Sequence, residues 1–224
     1  MAATHTAPDA AAYTDIPLFN GIDVHELQTM MGCLKSHVVS YPKGSVIITE
    51  DEDVRYVGVV LSGRVHMVKS DIWGHETLMA YMERGDLFGE SFALSSSSRS
   101  YVTFTAASAV EVCFLSLANV LHPCHNQCPF HLRLSQNLFA LISRKNVELM
   151  EKTEVISKST LREKILTYLS LQAEKQGSRY VTVPLNRTQM AEYLCTNRSA
   201  MSRELNDMKK DGLIDFDGNT FSVK

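Results

Sequence analysis

The 224-residue chain is 45% hydrophobic and 21% charged with a formal net charge of −3, values close to those of globular proteins. That balance excludes a disordered polyelectrolyte and a uniformly basic nucleic-acid coat. No run reaches the roughly 18 apolar residues needed to cross a membrane, and five cysteines in a chain of this size point to free thiols in a reducing cytoplasm.

The first fifteen residues are rich in Ala and Thr and hold no Lys or Arg, so residues 1–15 read as a flexible arm rather than a signal peptide. Asp23 to Leu34 carries Leu27, Met30, Met31 and Leu34 at helical spacing. From Val38 to about Leu117 the texture turns to short β-rich runs: Val46–Thr49, Val57–Leu61, Val65–Lys69, Thr77–Met82, Val102–Thr105 and Glu111–Leu115. Turn signals at Pro42-Lys43-Gly44, Gly63, Gly74 and Gly85-Asp86 part them at intervals of about ten residues, the pattern of an antiparallel sandwich or barrel.

After Pro129 the pattern changes again. Residues Phe130 to Ser157 contain no Gly or Pro, and Leu134, Leu138, Leu141, Ile142, Leu149 and Ile156 keep an approximate helical period. The spacing predicts a helix of about 38 Å whose apolar stripe needs a partner, either the β-rich domain or a second copy; its length favours a dimer seam. A further helix, Ser159–Ala173, and a short strand, Tyr180–Val183, follow.

The most informative stretch comes last. Asn186 with Gln189 three residues later forms a capping-box pattern, Met190, Ala191 and Leu194 give the helix an inner face, and Cys195-Thr196 stop it. Asn197 can cap a second helix with Met201, Leu205 and Met208 inward and Arg198, Ser199, Ser202, Arg203 and Asn206 outward. Two alternating runs around Asp217-Gly218-Asn219 predict a hairpin. Helix, turn, helix and hairpin make a winged helix-turn-helix, whose Arg- and Ser-lined helix start suits phosphates and guanine edges. Charge agrees: residues 158–224 hold 11 Lys/Arg against 8 Asp/Glu on an otherwise acidic body.

The stretch centred on Arg198-Ser199-Ala200-Met201-Ser202-Arg203 resembles the helix-turn-helix of the CRP/FNR family of bacterial regulators. Upstream, Gly44, Gly63 and Gly85-Asp86-Leu87-Phe88-Gly89-Glu90 are similar to the turns of that family's cyclic-nucleotide-binding-type β-roll, and the helix from Phe130 matches its dimerisation helix. The resemblance implies an α+β fold: an arm (1–15), an antiparallel β-roll or jelly-roll sensor domain (16–129), a dimerisation helix (130–157) and a winged helix-turn-helix domain (158–224). It also implies a homodimer on palindromic double-stranded DNA, working with RNA polymerase. The DNA-binding residues expected are Arg198, Ser199, Ser202, Arg203, Asn197, Arg187 and Thr188. Ser199 stands where the family often has Glu, and Cys195 where many members have Gly; loss of the carboxylate removes an acceptor for cytosine and changes the preferred half-site.

The resemblance places an effector pocket at Gly89, Glu90, Arg99, Ser100, Tyr101, Leu149 and Met150. Tyr101 occupies a place where a small residue is expected, and Leu149-Met150 replace hydroxyl-bearing neighbours of adenine, so the residues argue against cyclic AMP. The effector and any cofactor stay unnamed. The first cysteine is Cys33, which argues against an N-terminal iron–sulfur cluster. Cys124 and Cys128, amid His122, His125 and His131, are metal or redox candidates, with a simple packing pair as the alternative. His66 and His75 are candidate haem ligands. A cupin-like metalloenzyme, the other class weighed, needs a His-x-His pair that the chain lacks. A β-roll sensor that does not bind DNA requires the Arg198 helix to be blocked.

Overall fold

In a computed structural model, residues 4–6, 10–74, 76–121 and 129–223 are described. The chain forms two compact units, 1–142 and 143–224, which divide within the long helix. The architecture is α+β, as the runs and periodicities predict.

The first unit is built on two antiparallel sheets. One holds β1 (Thr4–Thr6), β2 (His37–Tyr41), β9 (Val110–Ser116), β4 (Tyr56–Ser62) and β7 (Leu87–Phe88), in that order. The other runs β3 (Val46–Ile48), β8 (Thr103–Ala106), β5 (Val65–Ser70), β6 (Glu76–Met82). Strand β4 shows why its sequence is apolar without a break. Side chains alternate across a pleated strand, so Val57, Val59 and Leu61 enter one core while Val60 enters the other.

The inner core lies between the sheets around Val39, Ile48, Val65, Phe88, Phe104 and Val112. The outer core packs Val38, Leu87, Cys113 and Leu115 with α1 (Val24–Cys33), α3 (Leu117–Leu121) and the short turns Ala10–Tyr13 and Pro17–Phe19. Asp23 caps α1, accepting from the His25 amide at 2.9 Å, while Glu26 accepts the Asp23 amide at 3.0 Å. Such a box satisfies donors that the first helical turn leaves bare.

Two expectations need correction. The arm expected at 1–15 is built into the unit in part: Thr4–Thr6 pairs with β2, Tyr13 is buried, and Asp15 pairs with Arg84 at 2.6 Å. Alanine-rich sequence shows no period, so only the tertiary contacts reveal this. The apolar stripe of the long helix, α4 (Pro129–Ile156), is also not a single seam. Leu134, Leu138 and Leu141 are buried in the outer core of the β-roll. The exposed large apolar residues of α4 are Leu132, Phe139, Val147, Leu149, Met150 and Ile156.

In the second unit, α5 (Leu161–Gln176) opens with a Thr160–Glu163 capping box and closes at Gly177 in the left-handed region, φ 59°. After β10 (Tyr180–Thr182) come α6 (Arg187–Tyr193), α7 (Arg198–Lys210) and the hairpin β11 (Ile214–Asp217) with β12 (Thr220–Val223). These three strands form a sheet in the order β10-β12-β11. Ile165, Leu169, Val181, Met190, Leu194, Met201, Leu205, Met208, Ile214 and Phe221 are all buried here. Tyr193 packs against Tyr168 with centroids 4.9 Å apart and rings tilted by 49°, and the Lys152 ammonium lies 5.5 Å from the centre of the Tyr193 ring. Burial pushes the Tyr193 phenol up to about 12.

Candidate nucleic-acid interface

Asn186 begins α6 by accepting the Thr188 and Gln189 amides, each at 3.0 Å, while Gln189 accepts the Asn186 amide at 2.9 Å. The helix ends at a corner that needs an unusual backbone. Cys195 sits at φ 53°, in the left-handed region that a β-carbon disfavours, and its side chain is exposed. Asn197 then caps α7 by accepting the Ala200 amide at 2.7 Å.

On α7, Met201, Leu205 and Met208 are buried, whereas Arg198, Ser199 and Arg203 are exposed and Ser202 is half-exposed. Neither Arg198 nor Arg203 has a hydrogen bond or ion pair among the described residues, so both forks stand open to solvent. An open guanidinium can meet the two acceptors of a guanine edge, and the bare amides of a helix start attract phosphate. Thr188 is exposed on the first turn of α6. Asn197 is exposed too, but its carboxamide oxygen already serves the cap.

The C-terminal half of the helix is held by two sets of contacts. Arg162 on α5 donates from Nε to Glu204 at 2.6 Å and from Nη1 to Asp211 at 2.7 Å, bracketing the C-terminal half of α7. Lys209 pairs with Asp215 at 2.5 Å and lies 5.1 Å from the Phe216 ring centre, tying α7 to the wing. Sequence periodicity did not signal these ties, because the Arg162 pairs join distant parts of the chain and the Lys209 contacts cross from a helix to a strand.

Arg187 departs from the set expected to face DNA. Its guanidinium folds back onto the wing, with Cζ 4.9 Å from the Phe216 ring centre and 4.7 Å from that of Phe221. Nη2 donates to the Gly218 carbonyl at 2.7 Å, and desolvation lowers the pKa of the half-buried group. It is engaged within the fold.

The residues expected to form the effector pocket differ in burial and in the bonds they make. Gly89, at φ 80°, starts the short helix α2 (Glu90–Ala93), and a β-carbon there would lie 3.3 Å from Val54 and 3.4 Å from the Tyr56 carbonyl. Glu90 and Ser100 are buried, and the Ser100 hydroxyl is spent on the Val102 carbonyl at 2.6 Å. Arg99 lies outside, donating to the Asp51 carbonyl at 3.1 Å. Tyr101 also points out, 66% exposed, with the Lys69 ammonium 3.8 Å above its ring. Its ring thus faces solvent, in the bend that precedes β8 (Thr103–Ala106), rather than lying inward as an effector-pocket residue would. Leu149 and Met150 are exposed on α4.

Cavities of the roll are lined differently. One of about 200 Å³ involves His37, Tyr41, Glu52, Asp53, Tyr56 and Phe114 among others. His66 lines an open groove with Arg64, Glu83 and Ser108. His75, Cys124 and Cys128 lie outside the described residues, as do His122 and His125. His131 is buried at the start of α4, and its Nδ1 has no partner among the described residues. No cluster of three metal-ligating side chains occurs among the described residues.

Comparison with known proteins agrees with this geometry. Residues 38–126 match the cyclic nucleotide-binding domain, and residues 163–224 match the Crp-like helix-turn-helix domain. The chain belongs to the CRP/FNR family of transcriptional regulators. This CRP/FNR chain is 25% identical over 209 residues to the cyclic AMP receptor protein of Thermus thermophilus, covering 93% of the chain and 92% of the relative. It is 26% identical to the probable transcriptional regulator flp of Lacticaseibacillus casei, over 93% of the chain and 91% of the relative. In fold it is similar to a CooA mutant from Carboxydothermus hydrogenoformans, with a TM-score of 0.61, 22% identity, and coverage of 86% of each chain. The CRP/FNR chain is thus a regulator with a cyclic-nucleotide-binding-type domain followed by a DNA-binding helix-turn-helix.

Proposed function

We propose that the protein is a cytoplasmic homodimer that reads a palindromic operator with α7 and regulates RNA polymerase there. It is no enzyme. The observation that carries this reading is the open first turn and a half of α7: Arg198, Ser199 and Arg203 exposed around a capped helix start, with both guanidinium forks unengaged. Phosphate contacts at that start would set the register, and the two forks would read base edges. Ser202 and Thr188 border the same surface. No helix among the described residues is long and apolar enough to cross a membrane.

The dimer reading rests on the apolar residues that α4 leaves exposed. Leu132, Phe139, Val147 and Met150 follow at steps of seven, eight and three residues, so they share one helical face. An apolar stripe on a long helix is stable when a second copy covers it. Half-sites would then be centred about one helical turn, ~34 Å, apart. The test is a shift assay with labelled DNA selected from a random pool. A dimer on a two-fold sequence is expected, and failure to select any sequence would leave the sensor without DNA binding as the better reading.

The effector of this β-roll is a small molecule or redox signal other than cyclic AMP. Arg99, the nearest candidate for the cyclic phosphate, is engaged on the outside with the Asp51 carbonyl, and the Ser100 hydroxyl is used internally. Cys124 and Cys128 remain the proposed metal or redox pair. A C124S/C128S variant is expected to stay soluble and dimeric, while any redox dependence of DNA binding disappears. Stoichiometric zinc in the wild type and an aggregating variant would make the pair a structural metal site.

A further inference from the structure

A cation folded against protein without a carboxylate is costly unless something replaces its water. Arg187 is such a group: half-buried, with Nη1 buried and without a partner among the described residues. What replaces the water is the wing. The guanidinium reaches Phe216 on β11, Phe221 on β12 and, through the 2.7 Å hydrogen bond from Nη2, the carbonyl of Gly218 at the turn between them. Ring faces and a carbonyl oxygen both present negative potential to a cation. Arg187 itself stands on the first turn of α6, which Asn186 caps. One side chain therefore joins the start of the helix-turn-helix to both strands and the tip of the hairpin.

We propose that Arg187 is a positioning residue that pins the wing against α6, and so sets how strongly the wing supports DNA binding, without itself meeting a phosphate. The proposal rests on the reading of this domain as a DNA-binding one. It changes the role of a residue whose type and place suggest a phosphate contact. A Lys at this position keeps the charge but has no planar fork to lie against two rings while bonding a carbonyl. Charge alone should therefore not restore the function.

The experiment compares the full-length wild type with Arg187→Met and Arg187→Lys on the selected operator across a series of salt concentrations. Amide hydrogen exchange is followed on β11 and β12 without DNA. Both variants are expected to lose roughly tenfold or more in affinity, the scale of one charge-assisted hydrogen bond. The slope of log affinity against log salt should stay unchanged, and the wing amides should exchange faster. A slope smaller by about 1 in Arg187→Met, kept in Arg187→Lys, with wing exchange unaltered, would show a phosphate contact and overturn the proposal. So would a variant that binds as the wild type does.

If Arg187→Met does not fold, the wild-type guanidinium is followed by nitrogen-15 NMR. Hindered rotation in the free protein, unchanged by DNA, is expected; free rotation that stops only on DNA overturns the proposal. Since wing exchange and guanidinium rotation are read without DNA, a failure of the DNA-binding reading is recognised separately, as a wild type that selects no operator.

Discussion

Arg198 and Arg203 are both exposed on α7, and neither guanidinium is held by a hydrogen bond or ion pair among the described residues. Arg203→Ala, and to a lesser degree Arg198→Ala, should each weaken binding to the preferred operator by about 1–3 kcal/mol. Measuring random DNA at the same salt concentration checks it: equal losses on both would reassign the arginines to phosphate. These residues were legible in the sequence because the helical period alone turns Met201, Leu205 and Met208 inward and leaves the arginines outside. Arg187 was not legible in the same way. Its neighbours Phe216, Gly218 and Phe221 come about thirty residues later, and a lone Arg beside a capping Asn looks solvent-facing until the hairpin folds over it. The outward direction of the Tyr101 side chain was equally invisible, because it is set by the bend before β8 and not by any period.

Among the elements, α6 shows how much a helix of seven residues leans on its cap. So short a helix is unstable alone, and Asn186 satisfies two of its first amides. Asn186→Ala should cost about 1 kcal/mol of stability, seen as a lower midpoint in urea with an unchanged slope. The capping box was visible in the spacing of Asn186 and Gln189, as was the hairpin in Asp217-Gly218-Asn219. The long helix α4 was visible in its extent, but the two sides of its apolar pattern were not separable. A stripe of leucines at three- to four-residue steps says that a face is covered and does not say by what. Since Leu138 and Leu141 belong to the roll, glutamate at those positions should unfold the first unit rather than split a dimer. Glutamate at Leu132 and Phe139 instead should give folded monomers, distinguished by sedimentation together with an unchanged circular dichroism spectrum. A double variant that remains dimeric would move the seam elsewhere.

For the molecule as a whole, the order of parts was readable from local pattern: short β runs, one long uninterrupted helix, then two short helices and a wing. The effector was not, because a pocket is made by side-chain directions that no period records. With Arg99 outside and Ser100 bonded internally, millimolar cyclic AMP should leave operator affinity unchanged, and calorimetry should detect no micromolar binding. Saturable binding that tightens the DNA complex would overturn that expectation. The division of labour on α4 has a further consequence for how the protein comes apart. In the proposed dimer, Leu134, Leu138 and Leu141 would complete the core of their own protomer, so the roll should fold without its partner. Dilution should therefore release intact monomers, and the roll's melting temperature should vary little with protein concentration once they have separated. Newly made chains could fold one at a time and pair afterwards, leaving operator occupancy responsive to how much of the regulator the cell contains.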